Sequence, residues 1–288
     1  MGKLIEDLKL IVNKHHLSSE FKNCLETLMA QHKGGDFTNL CELHFQMAEG
    51  IETSAIKDVY NILELCILFT DIFDDIEDGD ETKWGIERNI LLNASTSLVS
   101  ILFIELKRLE IPYQNEVIML FYNYLLQAAD GQHHDLTNNI FSEEAYLGVV
   151  KKKSGSLIAL ACTLGQTLAN GKYEEKLEKC AHYIAIVAQL RNDYEDLLGK
   201  QNDISMKKRT LPILYLLQYE SPIFDELRAH YIKQVDSITD IHITAQQIEA
   251  SGLPIYMHLM TLKYHRLAMD LLQQLYPDKD ISIFRQYI

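Results

Sequence analysis

Four aspartates, Asp71, Asp74, Asp75 and Asp78, recur at i, i+3, i+4 and i+7 within FTDIFDDIEDGDETKWG. At helical pitch this spacing lines them along one face. The segment around them is apolar almost all round, from Ile62 and Leu63 through Phe69 and Ile72 to Ile76, as in a helix inside a bundle. Carboxylates stacked on such a helix repel one another. At an effective dielectric near 20, two charges about 4 Å apart interact by about 4 kcal/mol. A bound cation removes the repulsion, and carboxylate oxygens are the ligands that Mg²⁺ prefers. A Ca²⁺ loop is a poor fit, because it needs a turn with a central glycine and a terminal glutamate. A solvated acidic helix face remains the alternative for this stripe alone.

A second stripe, Gln189, Asn192/Asp193 and Asp196, repeats the i, i+3/i+4, i+7 pattern in QLRNDYEDLLGKQND, with Lys200 one turn further on. Alone it would be an ordinary charged helix end. Two such stripes, each on an apolar helix and facing each other across a bundle, would hold several Mg²⁺ ions and through them a diphosphate. Metal-bound diphosphate is a leaving group whose growing charge is stabilised. An allylic diphosphate ionised in this way leaves a carbocation, which needs a dry apolar cavity. No side-chain nucleophile is required.

The elements that must position these stripes read as helices. Apolar residues recur at Leu4, Leu8 and Ile11, and Ser18 or Ser19 can cap a helix to about Met29. His32 to Asp36 reads as a turn. Helices are expected over 54–78, 87–108, 114–136, 142–169 and 173–198, with shorter ones starting near Lys208, Pro222, Pro254 and Asp280. The chain has only 5 prolines and 13 glycines in 288 residues, which favours long helices. The expected fold is all-α, a bundle of long helices in a single domain over 1–288.

The formal net charge of −14 argues against nucleic acid and against an anionic membrane surface. Cys24, Cys41, Cys66, Cys162 and Cys180 show no zinc spacing and read as reduced core residues of a cytosolic protein. The N-terminal segment is interrupted by charges, so no signal peptide is expected. No run of about 18 uncharged apolar residues occurs, so no transmembrane helix is expected.

The chain resembles the trans-prenyl diphosphate synthases of the class I isoprenoid fold, a bundle around a central prenyl cavity. Asp74-Asp75-Ile76-Glu77-Asp78 stands at the first DDxxD motif, and Asn192-Asp193-Tyr194-Glu195-Asp196 stands at the second, with Asn for its first Asp. Gly131-Gln132-His133-His134-Asp135-Leu136 is similar to GQxxDL, and Lys153-Ser154-Gly155-Ser156-Leu157 to KTGAL. Lys207-Lys208-Arg209-Thr210-Leu211-Pro212 is similar to GKxTLP. The resemblance spans about residues 34–215. It implies Mg²⁺ on Asp71, Asp74, Asp75, Asp78, Asn192, Asp193 and Asp196, with Asp74, Asp78, Asp193 and Lys153 central to catalysis. It also implies donor-diphosphate contacts from Lys153 and Lys208, support from Gln132 and Gln189, and closure by Lys200. Phe69 and Thr70 stand where related synthases form the floor of the hydrocarbon cavity, which implies a geranyl or farnesyl donor. The family's habit implies a homodimer.

Two departures concern the acceptor. The family's GGKRxRP motif is Gly34-Gly35-Asp36-Phe37-Thr38-Asn39-Leu40, and its RRG is Lys83-Trp84-Gly85. The lost cations normally bind the second, homoallylic diphosphate, so the acceptor is expected to lack one. The wording of DIFDDIEDGD, GQHHDLTN and KKKSGSLIALA is similar to the branch that prenylates a tryptophan of a pheromone precursor peptide in bacterial quorum sensing and competence. A short-chain synthase using isopentenyl diphosphate is the alternative. A terpene cyclase fits less well, because Asp196 and Lys200 stand where its second motif needs Ser and Glu. A non-enzymatic interaction protein is weaker still, since no ligand position in the stripes is obviously lost. Trp84, the sole tryptophan, either contacts substrate or simply packs. His133 and His134 are adjacent and diverge on a helix, which favours hydrogen bonding beside Asp135 over a metal pair.

Overall fold

The computed structural model describes residues 2–232 and 241–288. In chain order the helices are α1 (Gly2–Asn13), α2 (Ser19–Gln31), α3 (Asp36–Met47), α4 (Ser54–Asp78), α5 (Arg88–Arg108), α6 (Gln114–Thr137) and α7 (Glu143–Lys152). They continue as α8 (Ser154–Asn170), α9 (Glu175–Leu198), α10 (Asn202–Ser205), α11 (Leu211–Gln218), α12 (Asp225–Ile232), α13 (Ala245–Ala250) and α14 (Leu253–Leu275). Short 3-10 turns fill Glu81–Trp84, Pro222–Phe224 and Ser282–Gln286, and no strand occurs among the described residues.

Local chemistry sets these boundaries. The hydroxyls of Ser18, Thr53 and Ser142 accept the backbone N–H of Phe21, Ile56 and Ala145, which caps α2, α4 and α7. Gly79, at φ 81, ends α4 directly after Asp78. The expected helix over 142–169 is broken at Lys153. Its cause is distant in sequence: a Cβ on Gly131 would run into the backbone of Lys152 and Lys153, so α6 passes too close for the turn to continue undisturbed. The segment after the His32–Asp36 turn forms α3, with Gly35 at its N-cap.

The chain divides into two compact units, residues 1–126 with 157–178, and residues 127–156 with 179–288. In the first, α4 is the core helix, buried from Ile56 to Ile76, with α1, α3 and α5 packed on it. By length and composition α5 could cross a membrane, contrary to the expectation of no such helix. Here its Leu91, Leu98, Leu102 and Leu106 are buried, and α5 packs on α4, as a core helix does. In the second unit α14 packs on α11 and α13, and α11 packs on α7.

His44, on α3, is fully buried, and burial pushes its pKa down to about 3. The unfolded chain therefore takes up a proton near pH 6.5 that the folded chain refuses. Stability is full above pH 6.5 and falls as pH drops toward 3, by at most about 1.4 kcal/mol per pH unit from this group. Urea denaturation of wild type and His44→Gln at pH 7.5 and 5 checks this. The variant should lose less stability between the two; equal losses would remove His44 as a cause.

Candidate active site

The first stripe lies on the last two turns of α4, in the first unit. Asp71 opens to solvent on one side. Even so, the protein crowded around its carboxyl pushes its pKa up to about 6; Asp75 and Asp74 add to this, while His32 and Lys83 oppose it. Asp75 has both oxygens engaged: Lys83 Nζ is 2.7 Å from Oδ1, and the Trp84 indole N–H donates to Oδ2 at 2.7 Å. Trp84 is 5% exposed, and its carbonyl accepts from Gln31 Nε2 at 3.0 Å. Trp84 therefore packs, and it holds an acidic side chain while doing so.

The stripe extends further than the sequence reading saw. Glu64, seven residues before Asp71 and so on the same face, is fully buried. Its carboxylate accepts from the backbone N–H of Gly35 (3.1 Å) and Thr38 (3.2 Å), and from the Thr38 hydroxyl (2.5 Å). His32 Nε2 lies 2.9 Å away. Burial pushes the Glu64 pKa up, but the hydrogen bonds from His32 and Thr38 outweigh it and hold the group below the usual range. Glu64 thus satisfies the open N-terminus of α3 and pins the Gly34–Gly35 loop. The loop is packed so closely that a Cβ on Gly34 would run into Glu64 and His32. Asp36, placed where the family motif has a cation, is exposed in the first turn of α3, where an acid suits the helix dipole.

Phe69 is buried and meets Phe73 edge-on, with centroids 6.1 Å apart. The Thr70 hydroxyl donates back to the carbonyls of Cys66 and Ile67.

The second stripe lies on the last turns of α9, in the second unit. Asp193 is 4% exposed. Tyr146 of α7 donates its hydroxyl to Oδ2 at 2.6 Å, and Gln189 Nε2 donates to Oδ1 at 2.6 Å. Burial pushes the Asp193 pKa up to about 7 against these two hydrogen bonds, and Asp203 and Asp135 add to the rise. Asp196 accepts from the backbone N–H of Asn202 and Asp203 at the start of α10. Asn192 and Lys200 are exposed. Asp203 was not singled out from sequence. Burial and Asp196 push its pKa up to about 6, against the charge of Lys208.

Lys153, at the break between α7 and α8, reaches Asp135 with Nζ 2.8 Å from Oδ2. Asp135 acts electrostatically on both Asp193 and Asp203, so GQxxDL, KTGAL and the second stripe meet in one unit. Both amide atoms of Gln132 are buried without a hydrogen-bond partner. The His133 and His134 rings diverge by 61°, and His134 lies 3.8 Å from Asp130. Among the described residues no three His, Cys, Asp or Glu side chains converge to hold a metal ion.

Sequence comparison settles the lineage. The pattern of the Polyprenyl synthetase family matches residues 21–248. The chain belongs to the polyprenyl synthetase family. It is 34% identical over 240 residues to tryptophan prenyltransferase ComQ of Bacillus spizizenii, covering 82% of this chain and 84% of that one. A polyprenyl synthetase from Streptomyces coelicolor A3(2) superposes with TM-score 0.74 at 19% identity, covering 93% and 89% of the two chains. A geranylgeranyl pyrophosphate synthase from Corynebacterium glutamicum, solved with calcium and isoprenyl diphosphate, superposes with TM-score 0.71 at 18% identity, covering 93% and 87%. The fold is thus the all-α fold of the isoprenyl diphosphate synthases.

Against the GKxTLP pattern quoted above, Lys207 takes the glycine position. It does so at φ 54, in the left-handed region, and its carbonyl accepts from Asn138 Nδ2 at 2.6 Å. A left-handed non-glycine residue costs roughly 1–2 kcal/mol, and glycine's extra freedom in the unfolded chain costs roughly 0.5–1 kcal/mol. Lys207→Gly should therefore raise stability by up to about 1 kcal/mol. The denaturant midpoint reports this, and a lower midpoint would show that the lysine side chain is worth more than the strain.

Proposed function

We propose that this chain is a Mg²⁺-dependent prenyltransferase that moves a geranyl or farnesyl group from its diphosphate to a tryptophan of a small precursor peptide. The carrying observation is the contrast between two regions. Lys153, Lys208 and Gln132 are kept at the donor motifs, while Asp36, Phe37 and Asn39 stand where an acceptor diphosphate needs cations. The similarity to tryptophan prenyltransferase ComQ supports the same acceptor.

The oxygen chemistry of the donors suits magnesium, although no three of them converge among the described residues. Asp71, Asp193 and Asp203 all have raised pKa values because they are crowded, and a hard cation would favour their charged forms. The buried, unpartnered amide of Gln132 is of the kind a ligand satisfies. Each stripe, taken within its own unit, offers carboxylates that would hold a metal, which when bound supplies charge stabilisation for the departing diphosphate. Lys153 and Lys208 bind that diphosphate, with Lys200 closing over it. Gln189 and Tyr146 fix the orientation of Asp193, and Glu64 fixes the loop beside the acceptor. The calcium and isoprenyl diphosphate in the corynebacterial synthase support this reading.

In this proposal residues 1–288 act as a single catalytic domain in the cytosol, within a pheromone pathway of the quorum-sensing and competence type. The active form is a homodimer. Exposed Leu92 and Ile104 on α5 and Met119, Tyr122 and Leu126 on α6 support a second copy as their cover. The alternative, elongation of isopentenyl diphosphate, lacks cations at 36, 37 and 39. The test is a mass-spectrometric assay with Mg²⁺, geranyl or farnesyl diphosphate, and either isopentenyl diphosphate or a tryptophan-containing precursor peptide.

Donor length follows from Phe69. A further isoprene unit gains about 0.8 kcal/mol per buried CH₂ where there is room, and overpacking costs about 1–3 kcal/mol where there is not. Geranyl and farnesyl donors should be preferred over geranylgeranyl, with geranyl slightly ahead. Phe69→Ala should shift the preference to longer donors. Competition between donors measures this, and an unchanged preference in a folded variant removes Phe69 from the cavity floor.

A further inference from the structure

Asn138 stands one residue past the end of α6, in the left-handed region at φ 51. Asparagine tolerates that conformation better than most residues, so a helix end alone accounts for its presence. It does not account for the side chain, whose two polar atoms are both spent on a loop distant in sequence. Nδ2 donates to the Lys207 carbonyl at 2.6 Å, and Oδ1 accepts the Arg209 N–H at 3.1 Å. A carbonyl needs a donor and an N–H needs an acceptor, so one orientation of the amide serves both. The Asn138 carbonyl also accepts from the Arg209 guanidinium at 2.9 Å, and that guanidinium lies 4.6 Å from the Phe141 ring centre. Lys208 is held as well: its N–H donates to the Asp203 carbonyl at 2.8 Å, and its carbonyl accepts the Tyr231 hydroxyl at 2.8 Å. Both peptide groups flanking the Lys208 Cα are therefore fully bonded, although the segment between α10 and α11 is irregular.

We propose that Asn138 is a positioning residue for the donor site: its side-chain amide clamps the peptide groups on either side of Lys208 and so sets where the Lys208 ammonium meets the diphosphate. This rests on the reading above that Lys208 binds the donor. Lysine is a point charge on a flexible stem, so the reach of its ammonium is fixed by where the backbone holds its Cα. The Lys208 charge also bears on Asp203 in the same unit. Diphosphate has to compete for that charge, and a stem that drifts toward Asp203 loses the competition. A neutral amide holds the loop without adding a charge that would repel the ligand or capture the lysine.

The test uses the full chain, with Mg²⁺ and inorganic diphosphate as the probe and calorimetry as the readout. Asn138→Gly removes the amide but suits φ 51, so relief of backbone strain offsets the lost hydrogen bonds and the variant should fold. It should bind diphosphate about tenfold more weakly, as for loss of a group that orients a ligand. Lys208→Ala should weaken binding by about tenfold to a hundredfold, the worth of a hydrogen bond between charged groups. The double variant should match Lys208→Ala to within about twofold, because Asn138 acts through that lysine. If Asn138 serves only the helix end, glycine serves equally well, and wild-type binding by Asn138→Gly would overturn the inference. So would a loss that persists in full once Lys208 is already alanine. Should the glycine variant not fold, Asn138→Asp replaces it: the Arg209 bond is kept and the Lys207 bond is lost. Its loss should likewise vanish in the Lys208→Ala background, whereas simple charge repulsion would remain there and refute the clamp. Absence of diphosphate binding by wild type, or wild-type binding by Lys208→Ala, is a different failure, of the donor reading itself.

Discussion

Asp193→Ala and Asp74→Ala are each expected to abolish turnover while leaving the chain folded. For Asp193 the two parts of this statement have separate causes. Its carboxylate sits 4% exposed beside Asp203 and Asp135, and its pKa is pushed up to about 7. Keeping such a group is costly in the absence of a cation. Removing it relieves that cost but leaves the Tyr146 hydroxyl and the Gln189 amide without their acceptor, at about 1–3 kcal/mol for a buried polar group. These effects oppose each other, so the net stability change should be small. Catalysis has no such compensation. Losing one group that stabilises developing charge typically costs roughly 10²–10³ in rate, and a metal ligand should cost no less. Single-turnover assays with labelled donor, alongside thermal melts, measure both. Omission of Mg²⁺ should reproduce the loss in wild type. Full activity in EDTA would refute the metal reading.

The second large effect concerns the acceptor. With isopentenyl diphosphate the enzyme should form little or no elongated product, whereas a tryptophan-containing precursor peptide should gain one prenyl mass. Asp36 is exposed in the first turn of α3, and Lys83, a remaining cation of the lost motifs, is paired with Asp75. A second diphosphate would meet an acidic side chain where the family supplies cations. Even at an effective dielectric of about 20, that reversal is worth several kcal/mol at contact distance. Restoring positive charge with Asp36→Lys and Asn39→Arg together should raise elongation from this floor. Efficient farnesyl or geranylgeranyl diphosphate synthesis by wild type would mean that the departures were misread.

What was legible in the sequence was periodic. The span of α4 and both aspartate stripes follow from a repeat that needs no knowledge of the rest of the chain. Glu64 obeys the same period one step earlier. It could have been found by extending the stripe backwards, but it sits in a run so apolar that nothing local marks it. The Tyr146–Asp193 bond was out of reach, because it joins residues 47 positions apart. The signal available was indirect: a buried aspartate requires a donor from somewhere. The break at Lys153 was hidden for the same reason, since its cause is the approach of Gly131 on another helix. Asp203 lay in a turn where an acid is ordinary, and only its nearness to Asp196 and Lys208 singles it out.

The burial of Trp84 has a bearing on the enzyme as a chemical reagent. Under the proposed reaction the catalyst alkylates tryptophan and carries the hazard of labelling itself, because an accessible indole of its own would compete with that of the peptide. This chain has one indole to protect. Its ring is 5% exposed, so its carbons are shielded from an electrophile. The intact mass of the enzyme should therefore stay unchanged through many turnovers with a labelled donor, so that all label incorporated is read on the peptide.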